Sequence, residues 1–463
     1  MKSFKLITTG LAALALAGSA FAQTSIHIAG ATAFRTAALT AVQNVITVTA
    51  SASSGSLTGG NAQTFVGTLN STGNPITVQC CWTGSAAGVI DLVEGNSIAG
   101  GSGVGFIPVA SAVAGNVDVG STYSGEAGVA NVAFADVSAT NIANSVGSAN
   151  LYGRRAKADI LGAISAAKLA DAGVTAGPVA TVGVVPFRWV MSNLTGSGVA
   201  VPFTNITQQQ AKTIIDKGYR PLDTFTGVPT DAGNFVFFVG RNEDSGTRAS
   251  TYAEAALGFG PACQTWNLQV DSAGTDSLGN WLPPSAAGSA IKGLQLWKAN
   301  TPVNTVPSLK WGTAGHSGYN IGPDVKFTFT TPNPVTGLTP VDTVTGWTSS
   351  SKAFFVTCTS TGDASTIQTA GGKALTYNGV DYSADAVRHG QYSQWSFEHC
   401  YYLTSATTHT ANSAGTPSAV AGEQKTFADA LADRVYTNDA SLSGIVFSTM
   451  VVSRADTGDE IAP

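Results

Sequence analysis

Apolar segments that run through a short polar turn into a helical segment are the feature that most constrains this chain. SIHIA at 25–29 is followed by a Gly-Ala-Thr turn and by AFRTAALTAVQNV at 33–45, which has helical character. NFVFFVG at 234–240 is followed by a polar turn and a helical segment that Gly258 can end. Strands that alternate with helices predict an α/β fold whose mainly parallel sheet is covered on both faces. In such sheets, ligands bind beyond the carboxyl ends of the strands.

Two long stretches interrupt this pattern. Residues 50–130 are rich in Gly, Ser, Thr and Val, and residues 265–375 are rich in Trp, Gly, Pro and Thr. Short alternating segments such as NPITVQCCW at 74–82 predict strands and turns there, so we interpret both stretches as β-rich insertions. Between them, ADILGAISAAKLADAG (158–173) and TQQQAKTIIDKG (207–218) predict helices that end at glycine.

The first 22 residues have the composition of an export signal. Lys2 and Lys5 precede an apolar run of small residues, and Ala20-Phe21-Ala22 forms an A-x-A site with cleavage before Gln23. The alternative is a transmembrane anchor, but the run is too short and too rich in Gly, Ser and Thr to span a bilayer. The sequence therefore predicts a periplasmic or secreted protein.

Charge is scarce along the whole chain. Only 11% of the residues are charged, whereas soluble domains average about 25%. The hydrophobic content of 43% argues against disorder. The net charge is -5, and loss of the two signal lysines makes it more negative, so nucleic acid is excluded as a partner. The five cysteines form no CxxC motif and the five histidines are scattered, so no metal site is expected.

The segment RNEDSGTRASTYAEAALGFG contains the most informative motif. A strand ends at Gly240, and the polar turn that follows opens a helix. Free N–H groups at a helix start favour an anion, and Ser245, Gly246 and Thr247 place backbone and hydroxyl donors there. Arg241 adds a planar fork that suits two oxygens of a tetrahedral anion. This arrangement predicts an anion cradle; the alternative is an ordinary capped helix with a surface arginine.

Two more candidates follow other strands. The turn after SIHIA places Thr32, Ala33 and Phe34 at the start of a helix, where backbone donors can approach a ligand. Asp136 follows the apolar segment VANVAFA. Its carboxylate fits either a ligand contact or a simple helix cap.

Together these motifs resemble the phosphate-binding proteins of ABC transporters, which are two-lobed receptors of the type II periplasmic binding-protein fold. The strand-turn-helix at 28–34, the alanine-aspartate turn at 135–136 and R-x-x-x-SGT at 241–247 occur in the family's order. VVPFRWVMSN and GQYSQWSFEHCYYLTS are similar to the family's crossover and return strands. The resemblance covers about half of the chain, mainly its α/β frame.

The resemblance implies lobe one at 23–188, lobe two at 189–394 and a return to lobe one at 395–463. Thr32, Ala33 and Phe34 would donate to the ligand from lobe one. Asp136 would accept from a protonated phosphate oxygen, which sulfate lacks at neutral pH. Arg241, Ser245, Gly246 and Thr247 would complete the site from lobe two. The family further implies a monomer without a cofactor, with phosphate as ligand and an ABC permease as partner.

The chain departs from the family at several positions. Glu243-Asp244 replaces the usual Asp-Gly before SGT, Ala135 replaces a serine, and Arg35 replaces a proline. Together with the long insertions, these changes leave an alternative, a structural or adhesive surface protein that keeps the frame. A phosphate-ester hydrolase is disfavoured because the sequence offers no evident metal-ligand set or histidine-activated nucleophile.

Overall fold

The computed structural model describes twelve segments of the chain. They are residues 23–82, 84–95, 105–120, 123–146, 180–191, 202–241, 245–258, 265–270, 291–297, 344–369, 372–404 and 417–463. The predicted signal at 1–22, the predicted helix at 158–173 and the Glu243-Asp244 pair lie outside these segments.

The first part of the chain forms one half of a mixed sheet with its helices. Its elements are β1 (Thr24–Gly30), α1 (Arg35–Val45), β2 (Ile46–Ser53), β3 (Ala62–Leu69), β4 (Pro75–Cys81), α2 (Ser85–Glu94), β5 (Val117–Asp118), β6 (Val132–Ala135) and α3 (Ala139–Val146). β1 pairs in parallel with β4 and β6, whereas β2, β3 and β4 form an antiparallel meander. The meander extends the main sheet.

The rest of the chain forms the other half and returns to the first. Its elements are β7 (Thr181–Met191), β8 (Asn205–Ile206), α4 (Gln208–Lys217), β9 (Tyr219–Pro221), α5 (Asp223–Thr226), β10 (Phe235–Phe238), α6 (Gly246–Glu254), β11 (Thr265–Val270), β12 (Ile291–Trp297), β13 (Ala353–Ser360), α7 (Thr361–Thr369), β14 (Lys373–Ala374), β15 (Thr376–Tyr377), α8 (Ala384–Arg388), β16 (Trp395–Tyr402) and α9 (Gly422–Thr437). β10 and β13 are parallel neighbours.

One twelve-stranded sheet links the two halves, in the order β5-β2-β3-β4-β1-β6-β16-β7-β13-β10-β9, with β14 also paired to β7. This large mixed sheet and its covering helices confirm the predicted α/β class. The expectation of a mainly parallel sheet is wrong, because seven strand pairs of this sheet are antiparallel and four are parallel. β16 runs antiparallel to both β6 and β7, and β7 runs antiparallel to β13. It follows that β6 and β13 point towards each other.

The register sets the gap between these opposed strand ends. Ala135, the last residue of β6, lies opposite His399, which in turn lies opposite Thr181. Ser360, the last residue of β13, lies opposite Phe187. The stretch of β7 between the two ends is roughly 20 Å long at ~3.3 Å per residue. The carboxyl ends of β1, β4 and β6 therefore face those of β10 and β13 across the middle of β7.

Buried side chains cover both faces of the first half. Neighbouring residues of a strand point to opposite faces, and in β1 Ile28 and Ala29 belong to different core clusters. Ile28 shares its cluster with Phe427 of α9, which packs on α1, whereas Ala29 shares its cluster with Val89 of α2. Helices therefore pack against both faces of β1 near its carboxyl end.

One expectation about secondary structure is wrong. The stretch 50–130 was expected to hold only strands and turns, but α2 lies within it. Most of α2 is buried, including Val89, Ile90 and Val93. A helix that is apolar on most sides lacks the amphipathic period by which a helix is recognised in a sequence.

Candidate functional site

A polar cleft of about 520 Å³ lies where the two sets of strand ends face each other. It is lined by Thr32, Ala33, Arg35, Thr36, Asn61, Arg241, Ser360, Thr361, Gly362, Asp363, Thr366, Leu442 and Ser443. Three of the residues predicted for the site, Thr32, Ala33 and Arg241, are among them. Both sheet halves contribute to the wall, because Thr32 follows β1 whereas Arg241 and Ser360 belong to the ends of β10 and β13.

Arg241 follows β10, and burial leaves it only 5% exposed. Its Nε has no hydrogen-bond partner within the described residues. Burial lowers the pKa of the guanidinium, and the carboxylates of Asp363 and Asp136 act in the opposite direction. A buried cation with an unused donor at the wall of a cleft has the chemistry of an anion site, because a charged donor left without an acceptor is costly.

The start of α6 lies beside Arg241 and is buried. The Ser245 hydroxyl accepts from the backbone N–H of Arg248 at 3.4 Å, so Ser245 caps the helix. Gly246 and Thr247 are also buried, and the Thr247 carbonyl accepts from the Thr251 hydroxyl at 2.7 Å. None of the three belongs to the wall of the cleft. They form a buried layer next to it.

Asp136 joins this layer from the other sheet half. A Cβ placed on Gly246 would lie 1.4 Å from Asp136 Oδ1, so only glycine allows α6 to approach the carboxylate this closely. Asp136 Oδ1 also accepts a hydrogen bond from the Ser85 hydroxyl, and the Asp136 carbonyl accepts from Ser250 at 3.2 Å. The structure therefore brings Asp136 and Gly246 together, although 110 positions separate them in the sequence.

Burial raises the pKa of Asp136 to about 6, against the hydrogen bond from Ser85 and the charge of Arg241. The carboxyl group can therefore exchange a proton near neutral pH. Ser85 is a residue that the sequence reasoning missed. It starts α2, directly after a strand and Gly84, so the strand-turn-helix pattern that marked Thr32 could also have marked Ser85.

The three residues predicted in the turn after β1 lie in two different environments. Thr32 and Ala33 line the cleft, whereas the Phe34 side chain is fully buried and lies 6.3 Å from Phe134, centroid to centroid. Phe34 therefore anchors the turn in the core, and only its backbone remains available to a ligand. Arg35, which follows it, lines the cleft and donates to Asn61 at 2.6 Å.

The start of α7 forms another part of the wall that the sequence reasoning missed. Ser360 accepts from the backbone N–H of Asp363 at 3.2 Å, which caps the helix. Thr361, Asp363 and Thr366 line the cleft with it. The strand AFFVTCTS followed by TGDAS carries the strand-turn-helix signal, but it lies inside the stretch that was interpreted as an insertion.

A second buried carboxyl group lies near the site. Glu398 of β16 is fully buried, and neither of its oxygens has a hydrogen-bond partner in the described part of the chain. Burial, followed by the charge of Asp136, raises its pKa well above the usual range. These surroundings therefore favour the neutral carboxylic acid of Glu398 over its carboxylate.

The described segments contain neither a candidate metal cluster nor a candidate membrane-spanning helix. No group of three or more His, Cys, Asp or Glu residues there is arranged to hold a metal ion. Nor is any helix of those segments long and apolar enough to cross a bilayer.

No protein-family model and no curated protein matches the chain. Solved structures do. A chain named as a phosphate ABC transporter substrate-binding protein with bound phosphate from Clostridium perfringens is 10% identical, with a TM-score of 0.40, over 91% of this chain and 99% of that one. PstS from Borrelia burgdorferi is 10% identical, with a TM-score of 0.35, over 92% and 98%.

An ABC-type phosphate transport receptor from Vibrio cholerae is also similar. It is 12% identical, with a TM-score of 0.40, over 91% of this chain and 99% of that one.

Proposed function

We propose that this protein is an exported solute-binding protein that captures a small oxyanion, phosphate first, in the cleft between its two sheet halves. Delivery to an ABC-type permease in the membrane would follow, and no bond is made or broken in this role. The export signal ending near Ala22 and a periplasmic or secreted location belong to the same proposal.

Arg241 is the observation that carries the proposal. Its buried guanidinium reaches the wall of a polar cleft, and its Nε is without an acceptor among the described residues. A phosphate oxygen would supply that acceptor, and a planar guanidinium can bind two oxygens of one phosphate. Thr32 and the helix starts nearby add neutral donors, which bind an anion without requiring a large positive field.

Asp136 gives this site a basis for selectivity. Its carboxyl group lies in the buried layer beside Arg241, and its pKa of about 6 lets it take up or release a proton near neutral pH. In the proposed closed state, Asp136 accepts from a protonated phosphate oxygen. Sulfate has no proton to donate, so its oxygen would face an unmatched carboxylate, which a buried site rejects strongly.

The opposed strand ends support the proposed division into two lobes. Lobe one would comprise 23–188 and 395–463, and lobe two 189–394. The chain would cross between the lobes within β7 and again in the loop before β16. β7 and β16 are the strands that span the gap between the facing edges. Hinge motion at these strands would close the cleft on the ligand.

Calorimetric titration of the exported chain with inorganic phosphate and with sulfate tests the proposal. We expect phosphate to bind and sulfate to bind much more weakly. Arg241→Ala should weaken phosphate binding by roughly 30-fold or more, since loss of a buried charge contact costs about 2–5 kcal/mol. Arg388→Ala is the matched control, because Arg388 pairs with exposed Asp385 away from the cleft. The proposal would be overturned if neither phosphate nor sulfate binds.

A further inference from the structure

The cleft is large for inorganic phosphate. Its volume of about 520 Å³ lies within the ~300–1,000 Å³ range of pockets that hold organic ligands. Phosphate has only five heavy atoms, and the donors around Arg241 would suffice to bind it. The remaining wall, formed by the start of α7 and by residues near 442, leaves room for a ligand larger than phosphate.

Leu442 indicates that this ligand contains carbon. It lines the cleft and is 52% exposed. Few large apolar side chains among the described residues have so much exposed surface. Contact with water makes such a side chain unfavourable, whereas contact with a carbon skeleton removes apolar area from water. Inorganic phosphate offers Leu442 no such contact.

Asp363 indicates that the ligand also carries hydroxyl groups. Its carboxylate lines the cleft, and its Oδ2 lies 3.5 Å from the Thr359 hydroxyl, at the outer limit of a hydrogen bond. Asp363 lies within electrostatic reach of Arg241 and Arg35. Its carboxylate accepts hydrogen bonds and repels phosphate oxygens, so within a ligand a hydroxyl group suits it best. Asn61 and Ser443 add further polar groups to the wall.

Arg35 supplies a second cation within electrostatic reach of the first. Its guanidinium lines the cleft, where burial lowers its pKa, the charge of Asp363 raises it and the charge of Arg241 lowers it. Together the two guanidinium groups offer charged donors to several oxygens of one phosphoryl group. Among the described lining residues no aromatic ring occurs, so the wall offers no surface on which a nucleobase would stack.

We infer that the cleft binds a phosphate monoester of a small hydroxylated carbon skeleton, such as a polyol or sugar phosphate, in preference to inorganic phosphate. This inference rests on the proposed function, since it assigns the phosphoryl group to Arg241 and Arg35. The skeleton lies against Leu442, and its hydroxyl groups donate to Asp363.

The test compares affinities for glycerol 3-phosphate, glucose 6-phosphate and inorganic phosphate by calorimetry on the exported chain. At least one ester should bind tenfold more tightly than inorganic phosphate. Asp363→Asn and Leu442→Ala should each lower the ratio of ester to phosphate affinity at least fivefold. Val451→Ala is the matched control for Leu442→Ala, because Val451 is 60% exposed and does not line the cleft.

The outcomes distinguish failure of this inference from failure of the proposed function. If inorganic phosphate binds as tightly as both esters, the inference is overturned while the proposed function stands. An unchanged ratio in Asp363→Asn and Leu442→Ala also overturns it. If neither the esters nor inorganic phosphate binds, both the inference and the proposed function fail. Thermal melting of each variant shows whether the fold is kept, and Leu442→Ala is expected to keep it because the side chain is half exposed.

Discussion

Asp136→Asn is expected to make the protein more stable while it weakens phosphate binding. Burial raises the pKa of the Asp136 carboxyl group from 3.8 to about 6. The folded protein therefore binds a proton more readily than the unfolded chain. Stability falls as pH rises from about 4 to about 6, and above pH 6 the full cost of a buried ionised carboxylate remains.

The size of this cost follows from the shift in pKa. Each unit is about 1.4 kcal/mol, so the shift corresponds to about 3 kcal/mol at pH 7.5 and to about 1 kcal/mol at pH 4.5. Asparagine cannot ionise, and its side-chain oxygen can still accept from the Ser85 hydroxyl. The variant should therefore gain about these amounts over the wild type in free energy of unfolding.

Urea denaturation followed by tryptophan fluorescence measures the gain at both pH values. With an m-value of about 3 kcal/mol/M, the midpoint should rise by about 1 M at pH 7.5 and by about a third of that at pH 4.5. Asp385→Asn is the control, since its side chain is 80% exposed and the change should stay within about 0.5 kcal/mol. A gain that is absent at pH 7.5, or equal at the two pH values, would show that Asp136 is not a buried ionised group.

Three further predictions concern a close contact beside the site, a buried carboxyl group and the hydrophobic core. Gly246→Ala should destabilise the protein by about 1–3 kcal/mol in urea, because the new methyl group would overlap Asp136, whereas Gly233→Ala, with nothing within 4 Å, should be nearly neutral. Glu398→Gln should remove a loss of stability that grows as pH rises, since the wild-type carboxyl group has a raised pKa; parallel melting curves from pH 5 to 8 would contradict this. Leu431→Ala should cost about 2–5 kcal/mol, measured by the same denaturation, because Leu431 is fully buried; a cost below 1 kcal/mol would mean that the core relaxes around it.

Local sequence patterns predicted the parts of the site that directly follow an apolar strand. The segment after β10 and the start of α6 were identified because an apolar strand, a polar turn and a helical segment follow one another directly. Asp136 was identified in the same way, at the end of β6. The roles assigned to these residues stay predictions, but their positions at strand ends agree with the observed elements.

Other parts of the site have the same strand-turn-helix order, but weaker local signals. Ser85 starts a helix that is buried on most sides, so its apolar residues show no clear period. Ser360 ends β13 and Asp363 lies in the short helix α7, within a Thr- and Gly-rich stretch whose composition favours loops and strands. The contact between Asp136 and Gly246 depends on strand pairing across the whole sheet, which no local pattern reports.

Low charge and a negative net charge restrict how such a site can attract an anion. With 23 basic and 28 acidic residues, a broad positive field cannot concentrate the ligand. Attraction must come from Arg241 and Arg35 at short range, together with neutral donors at the helix starts. Interactions of buried charges are screened by salt much less than those of exposed charges. Binding that depends on buried Arg241 should therefore survive physiological ionic strength, at which a surface cluster of lysines would lose most of its effect.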